Sequence, residues 1–193
     1  MSREREFDPT QALDQAVALF WERGYGETSM EDLVDTTGVS RYGIYGTFGN
    51  KRELFIAALR RYAHVMAVDT LPGLFLPDAG LNELKGFFTV MLKRASGPKS
   101  QRGCMICNTA IEIAPHDENI AAAVRALFDE LTSVFTNALT NAQAAGDVNK
   151  SLDAKATAEL LVGLLQGAAV FARTGTSKAR LKRYGDMAMA ILE

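Results

Sequence analysis

The sequence predicts an all-α protein of about nine helices: a small N-terminal unit of three, a connecting helix, and a larger helical unit behind it. Three observations predict this. Apolar residues recur at spacings of three and four along most of the chain, with little of the strict alternation that marks a strand. Residues that start helices and residues that stop them bracket these apolar runs. Residues 71–80 collect two prolines and two glycines and interrupt the pattern.

Asp8 suits the cap of a first helix, with Pro9 at its first position and Gln11 completing a capping box. Leu13, Ala16, Val17 and Phe20 then share a face, and Gly24 ends the run. Thr28 with Glu31 makes a second capping pair for a short helix carrying Met30, Leu33 and Val34, which stops at Gly38. Ser40 caps a third segment, Arg41 to Phe48. Its Gly43 and Gly46 each cost roughly 1 kcal/mol against alanine, so packing or close approach must hold it. Asn50 with Glu53 opens a long helix to about Thr70, apolar on Leu54, Phe55, Ala58, Leu59, Tyr62 and Met66. Further helices follow over 81–95, 103–114 and about 117–145. In the last, Ile120, Val124, Leu127, Leu131, Val134 and Ala138 keep helical spacing until Gly146. Asp153 caps the next helix, which runs to about Arg173, and a final one starts near Ser177. The expected units are residues 1–51 and 71–193, joined by the helix at about 50–70.

A chain of 193 residues, 48% apolar, can bury a sizeable core and is not disordered. No apolar run approaches the ~20 residues that span a bilayer. Residues Met1 to Thr10 are charged and lack the apolar stretch of a secretory signal, so a cytoplasmic chain without membrane association is expected. Two cysteines close in sequence do not make a disulfide framework. The net charge of −2 and pI near 5.8 argue against a general nucleic-acid binder. The distribution argues otherwise. Between Thr36 and Arg61 stand Arg41, Lys51, Arg52, Arg60 and Arg61 against one acid, Glu53. A local basic segment can hold DNA on an acidic protein.

Two short helices joined by a tight glycine-containing turn, here Thr36-Thr37-Gly38-Val39, form the helix-turn-helix pattern. The second helix would enter the major groove and present its first residues to base edges. Arg41 is the candidate reader, because its planar fork can bond both acceptors of a guanine. Thr37, Ser40 and Tyr45 offer hydroxyls to phosphates, and Ser29 sits at a helix start that can meet one. Tyr42 belongs to the same candidate set, and Lys51 adds charge at the start of the next helix. The plainer reading is a helical hairpin packed in a core, which Leu33, Ile44 and Phe48 do suit. It gives no reason for Arg41, Tyr45 and Lys51 beside a glycine-weakened helix.

The run Gly38-Val39-Ser40-Arg41-Tyr42-Gly43-Ile44-Tyr45-Gly46-Thr47-Phe48-Gly49-Asn50-Lys51-Arg52-Glu53-Leu54-Phe55 resembles the signature of the TetR family of transcriptional regulators. Ala18-Leu19-Phe20, Arg23-Gly24-Tyr25 and Thr28-Ser29-Met30 are similar to that family too. The likeness is specific over about Asp8 to Arg60 and general beyond. Tyr42, where a small residue is common, and Gly46-Thr47 depart from it, which bears on base preference. The resemblance implies a repressor of operator double-stranded DNA. It also implies a homodimer built on the last two helices and an inducer pocket between the middle ones.

The larger unit shows no catalytic constellation, phosphate loop or metal spacing, so no enzyme activity, cofactor or metal is expected. Phe87, Met91, Met105, Phe128, Phe135 and Phe171 could line a cavity for a small-molecule inducer; core packing is the plainer reading for each. Leu160, Leu161, Leu164 and Ala168, with Tyr184 and Ile191, cover more than one face of the last two helices, which suits a dimer interface. Gly163 and Gly167 would permit close approach. Cys104 and Cys107 have redox spacing, and Arg102 nearby could lower a thiol pKa. The runs Arg102-Gly103-Cys104 and Asn108-Thr109-Ala110 are similar to those of family members that sense electrophiles or oxidants, which makes Cys104 a candidate sensor. Buried, inert thiols are the alternative. A small-molecule carrier and a thiol-dependent enzyme remain rival readings.

Overall fold

Capping side chains mark where most helices of the chain begin. The computed structural model describes residues 7–70 and 72–192. Residues 1–6 and 193, at the outer ends of the two expected units, and residue 71, the expected start of the second, lie outside the described residues. The order is α1 (Pro9–Arg23), α2 (Met30–Thr37), α3 (Arg41–Phe48), α4 (Lys51–Thr70), α5 (Leu81–Ala95), α6 (Met105–Glu112), α7 (Glu118–Ala145), α8 (Ala154–Arg173) and α9 (Lys178–Ala190). Among the described residues there is no strand.

Asp8 caps α1 by accepting from the Thr10 amide at 2.8 Å; Gln11 takes no part in this. Thr28 does not cap α2. Its buried hydroxyl donates to the Gly24 carbonyl at 2.7 Å, closing the end of α1, so the next hydroxyl takes the cap. Ser29 Oγ accepts from the Asp32 amide at 3.0 Å while the Asp32 carboxylate accepts from the Ser29 amide at 2.8 Å. Asn50 and Glu53 exchange the same two bonds ahead of α4.

The apolar cores divide differently from the chain. One contains Phe20, Leu33, Ile44, Phe55 and Leu59 of α1–α4, and continues into Met105 of α6 and Ile120 and Val124 of α7. Phe20 and Phe55 meet edge to face, centroids 4.9 Å apart. Three short helices bury too little alone, and each large side chain they hide against α6 and α7 adds roughly 1.5–3 kcal/mol. The second core gathers Phe87, Phe88, Phe135, Leu139 and Leu161 from α5, α7 and α8.

One helix departs from the reading that no segment has membrane-spanning length. α8 has 20 residues and a mean hydropathy of 1.3 over its most apolar stretch. It packs one face against α7, with Leu161, Leu165, Ala168 and Ala172 buried, and leaves Leu160, Gly163 and Val170 exposed on another. Its length was legible in the sequence, but Lys155, Glu159 and Gln166 divide its apolar residues, so no unbroken apolar run marks it.

Candidate nucleic-acid interface and ligand cavities

Gly38, at φ 67°, turns the chain between α2 and α3 in the left-handed region that glycine favours. Buried Val39 and Ile44 then pin one side of α3 to the core. The other side faces outward. Tyr42 is 89% exposed, Tyr45 is exposed, and Arg41 and Ser40 stand beside them. Ser40 Oγ accepts from the Gly43 amide at 3.1 Å, and Ser29 is exposed at the cap of α2. Thr37 is turned inward: its hydroxyl donates to the Leu33 carbonyl at 2.7 Å and accepts from the Val39 amide at 3.2 Å. The Lys51 ammonium lies 4.3 Å from the centroid of the Tyr25 ring, and burial pushes its pKa down.

The basic segment is less basic than its composition. Arg41 pairs with Glu31 at 3.2 Å, Arg52 with Asp117 at 3.3 Å, and Arg61 with Asp14 at 2.6 Å. The Arg61 guanidinium holds the Asp14 carboxyl below its ordinary value. Arg52 and Arg61 thus brace α4 against α7 and α1. None of these three acids was visible as a partner in the sequence, because two lie far along the chain and Glu31 lies on the preceding helix.

Two cavities, of about 570 and 420 Å³, lie beside α4. Phe87, Met91, Cys104 and Phe128 line the first, and Met91 and Cys104 line the second as well. The other aromatic and sulfur candidates lie elsewhere. Met105 is buried in the first core, and Phe135 in the second against Phe87 and Phe88. Phe171 packs edge-on against Tyr184 under the Arg180 guanidinium. Helical periodicity shows which faces turn inward but not where packing leaves a void. Tyr62, Met66, Leu165 and Gln166 also line both cavities and were missed.

Cys104 sits at the cap of α6. Burial pushes its thiol pKa up, outweighing the Cys107 and Ile106 amides and the Tyr62 hydroxyl, which pull the other way. Cys107 is buried and shifted upward for the same first reason. Arg102 does not activate either thiol. Its guanidinium binds Glu22 at 2.9 Å and faces the Trp21 ring. Trp21 Nε1 in turn donates to the Gly103 carbonyl at 3.2 Å, so the residues before Cys104 are fastened to α1. Among the described residues no group of three or more acidic, histidine or cysteine side chains could hold a metal ion.

The last two helices leave an apolar stripe uncovered. Leu160, Val170, Met187 and Ile191 are exposed, as is Gly163 between the first two. Leu161 and Ala168 are buried within the chain, and Leu164 is half-buried against the second core. A Cβ at Gly167 would lie 2.5 Å from the Tyr184 hydroxyl, so that glycine serves the α8–α9 contact inside the chain.

Residues 12–58 match the model described as bacterial regulatory proteins, tetR family. Residues 80–187 match the tetracyclin repressor-like C-terminal domain. The chain is 31% identical to the HTH-type transcriptional repressor ComR of Escherichia coli over 93% of its own length and 86% of that protein's. It is 28% identical to the HTH-type transcriptional regulator YezE of Bacillus subtilis over the whole of both. A cysteine mutant of the TetR family transcriptional regulator CifR, solved with 26-bp double-strand operator DNA, is similar in structure. Its TM-score is 0.85 at 25% identity, covering 99% of this chain and 100% of that one.

Proposed function

Because the chain belongs to the TetR family, and is therefore a transcriptional regulator and not an enzyme, we propose that it is a cytoplasmic repressor that binds operator DNA as a homodimer and releases it when a small apolar molecule fills the cavities beside α4. The observation that carries this is the physical continuity between cavity and reading head. α4 begins with Lys51 beside α3 and forms cavity wall with Tyr62 and Met66. Cys104 is wall too, and its neighbour Gly103 is held by Trp21 of α1. A ligand that spreads this wall displaces the elements that carry α3. Residues 1–51 are the reading unit, 71–193 the sensing and dimerising unit, and α4 the lever between them.

The CifR structure with operator DNA supports the docking mode. Arg41 reads a base edge; Tyr42 and Tyr45 flank it; Ser29, Ser40 and Lys51 hold the backbone, while the inward Thr37 hydroxyl, spent on Leu33 and Val39, holds the turn instead. The stripe of Leu160, Val170, Met187 and Ile191 joins two protomers, which sets two α3 helices about 34 Å apart on a near-palindromic site. Ligand and DNA then compete through conformation, a coupling of ~1–3 kcal/mol in most such systems. A second reading, release by modification of Cys104, rests on its place in both cavity walls.

A mobility-shift titration on DNA from upstream of its own gene, with competitor DNA and a salt series, tests the reading. Arg41→Ala should lose at least about fivefold in specific affinity, from a base contact worth ~1–3 kcal/mol, and remain a dimer. Unchanged specific affinity in that variant would remove α3 from the major groove.

A further inference from the structure

The two cavities share a stretch of wall formed by Tyr62, Met66, Met91, Cys104, Leu165 and Gln166. This stretch is apolar or soft sulfur apart from two polar groups. The Tyr62 hydroxyl lies beside Cys104 and the Met105 amide. Gln166 Oε1 is buried with no hydrogen-bond partner among the described residues. Folded proteins rarely leave a buried amide oxygen unpaired, and its cost is recovered only when a donor arrives. The neighbouring charges, Arg60, His64 and Glu130 at the first cavity and Arg94 and Lys99 at the second, belong to exposed residues, and of these Arg94 reaches the shared wall, its guanidinium 2.9 Å from the Met66 sulfur. The shared wall itself contributes no charged side chain, which favours an uncharged occupant. The sulfurs of Met66, Met91 and Cys104 adapt their shape and favour contact with ring edges.

Resting on the reading of these cavities as the inducer site, we propose that the inducer is an uncharged, ring-bearing apolar molecule. It has two arms, one in each cavity, and a hydroxyl or N–H between them that donates to Gln166 Oε1. The two cavities set the shape of the ligand, and the orphan oxygen sets its single polar requirement.

A matched probe pair tests this. ortho-Benzylphenol carries two rings with a hydroxyl at their junction, and ortho-benzyltoluene replaces that hydroxyl with a methyl group of similar size. Trp21, the chain's one tryptophan, lines the second cavity and reports binding by its fluorescence. The ratio of the two dissociation constants is measured in the natural chain and in Gln166→Met, which keeps the volume and removes the acceptor. The preference for the phenol should fall by about tenfold in Gln166→Met, with ortho-benzyltoluene binding retained or tightened. Retained binding also shows that the variant is folded. If both probes bind and the ratio is unchanged, the role of Gln166 is overturned and the cavities stand as a ligand site. If neither probe binds the natural chain, the inference and the cavity reading fall together.

Discussion

Trp21 of α1 donates its indole N–H to the carbonyl of Gly103 across 82 positions of sequence, at 3.2 Å. The same ring packs edge-on against Tyr62 of α4, centroids 5.1 Å apart, and lies against the Arg102 guanidinium. One side chain of α1 therefore touches both α4 and the segment leading into Cys104.

Trp21→Phe keeps a ring for Tyr62 and removes the donor to Gly103. The part-buried carbonyl loses about 1 kcal/mol of net hydrogen bonding. For a chain of this size the melting temperature should fall by roughly 2–4 °C, followed by far-ultraviolet circular dichroism. An unchanged melting temperature would mean that the bond does not fasten the two units.

The two glycines of α3 should answer alanine oppositely. A Cβ at Gly46 meets nothing within 4 Å, so Gly46→Ala removes a helix penalty of about 1 kcal/mol and raises the melting temperature. A Cβ at Gly43 would lie 2.8 Å from Val39 Cγ1, in the buried side chain that pins the turn. Gly43→Ala should lower the melting temperature despite the same gain in propensity. Shifts of the same sign would contradict this packing.

Met187→Asp and Leu160→Asp place a charge on exposed positions of the uncovered stripe, so each protomer should still fold. Both variants should be monomeric by light scattering at micromolar concentration and should lose operator binding with the dimer. A dimeric double variant would move the interface elsewhere.

Burial holds the Cys104 thiol above its ordinary pKa, so little thiolate exists at neutral pH. In a Cys107→Ser background, alkylation by iodoacetamide should be slow at pH 7 and climb about tenfold per pH unit through pH 9. A raised folded-state pKa also fixes the sign for stability. Its contribution is complete below the unfolded thiol's value of about 8.5 and is lost as pH rises through the folded one. A reaction rate that levels off below pH 8 would show an activated thiol instead.

Local signals made the helices legible. Asp8, Ser40, Asn50, Asp153 and Ser177 each cap the helix they precede, because a cap is decided within about four residues. Thr28 was misread since its hydroxyl serves the helix behind it. α3 was legible as a shape, through Gly38 and the exposed Arg41, Tyr42 and Tyr45. What escaped was every feature made by distant segments: Asp14 on Arg61, Asp117 on Arg52, and Glu22 drawing Arg102 away from Cys104. The cavities escaped for the same reason. Tyr62 and Gln166 look like ordinary positions of their helices until α4 and α8 are set side by side.

The pairing of Arg41 with Glu31 at 3.2 Å bears on how such a protein would search a genome. An arginine with no partner grips any phosphate it passes, and a protein that grips everywhere stays long on wrong sequences. In the proposed docking, Arg41 would begin each DNA contact by giving up a carboxylate it already holds, so a lone phosphate would offer it little. A guanine edge that engages both arms of the fork offers more. A surface pair worth at most about 1 kcal/mol adds nothing notable to the fold, yet it shortens each unproductive stop along the duplex. Across the ~10⁶–10⁹ competing sites of a genome, that saving would speed the search for the right one.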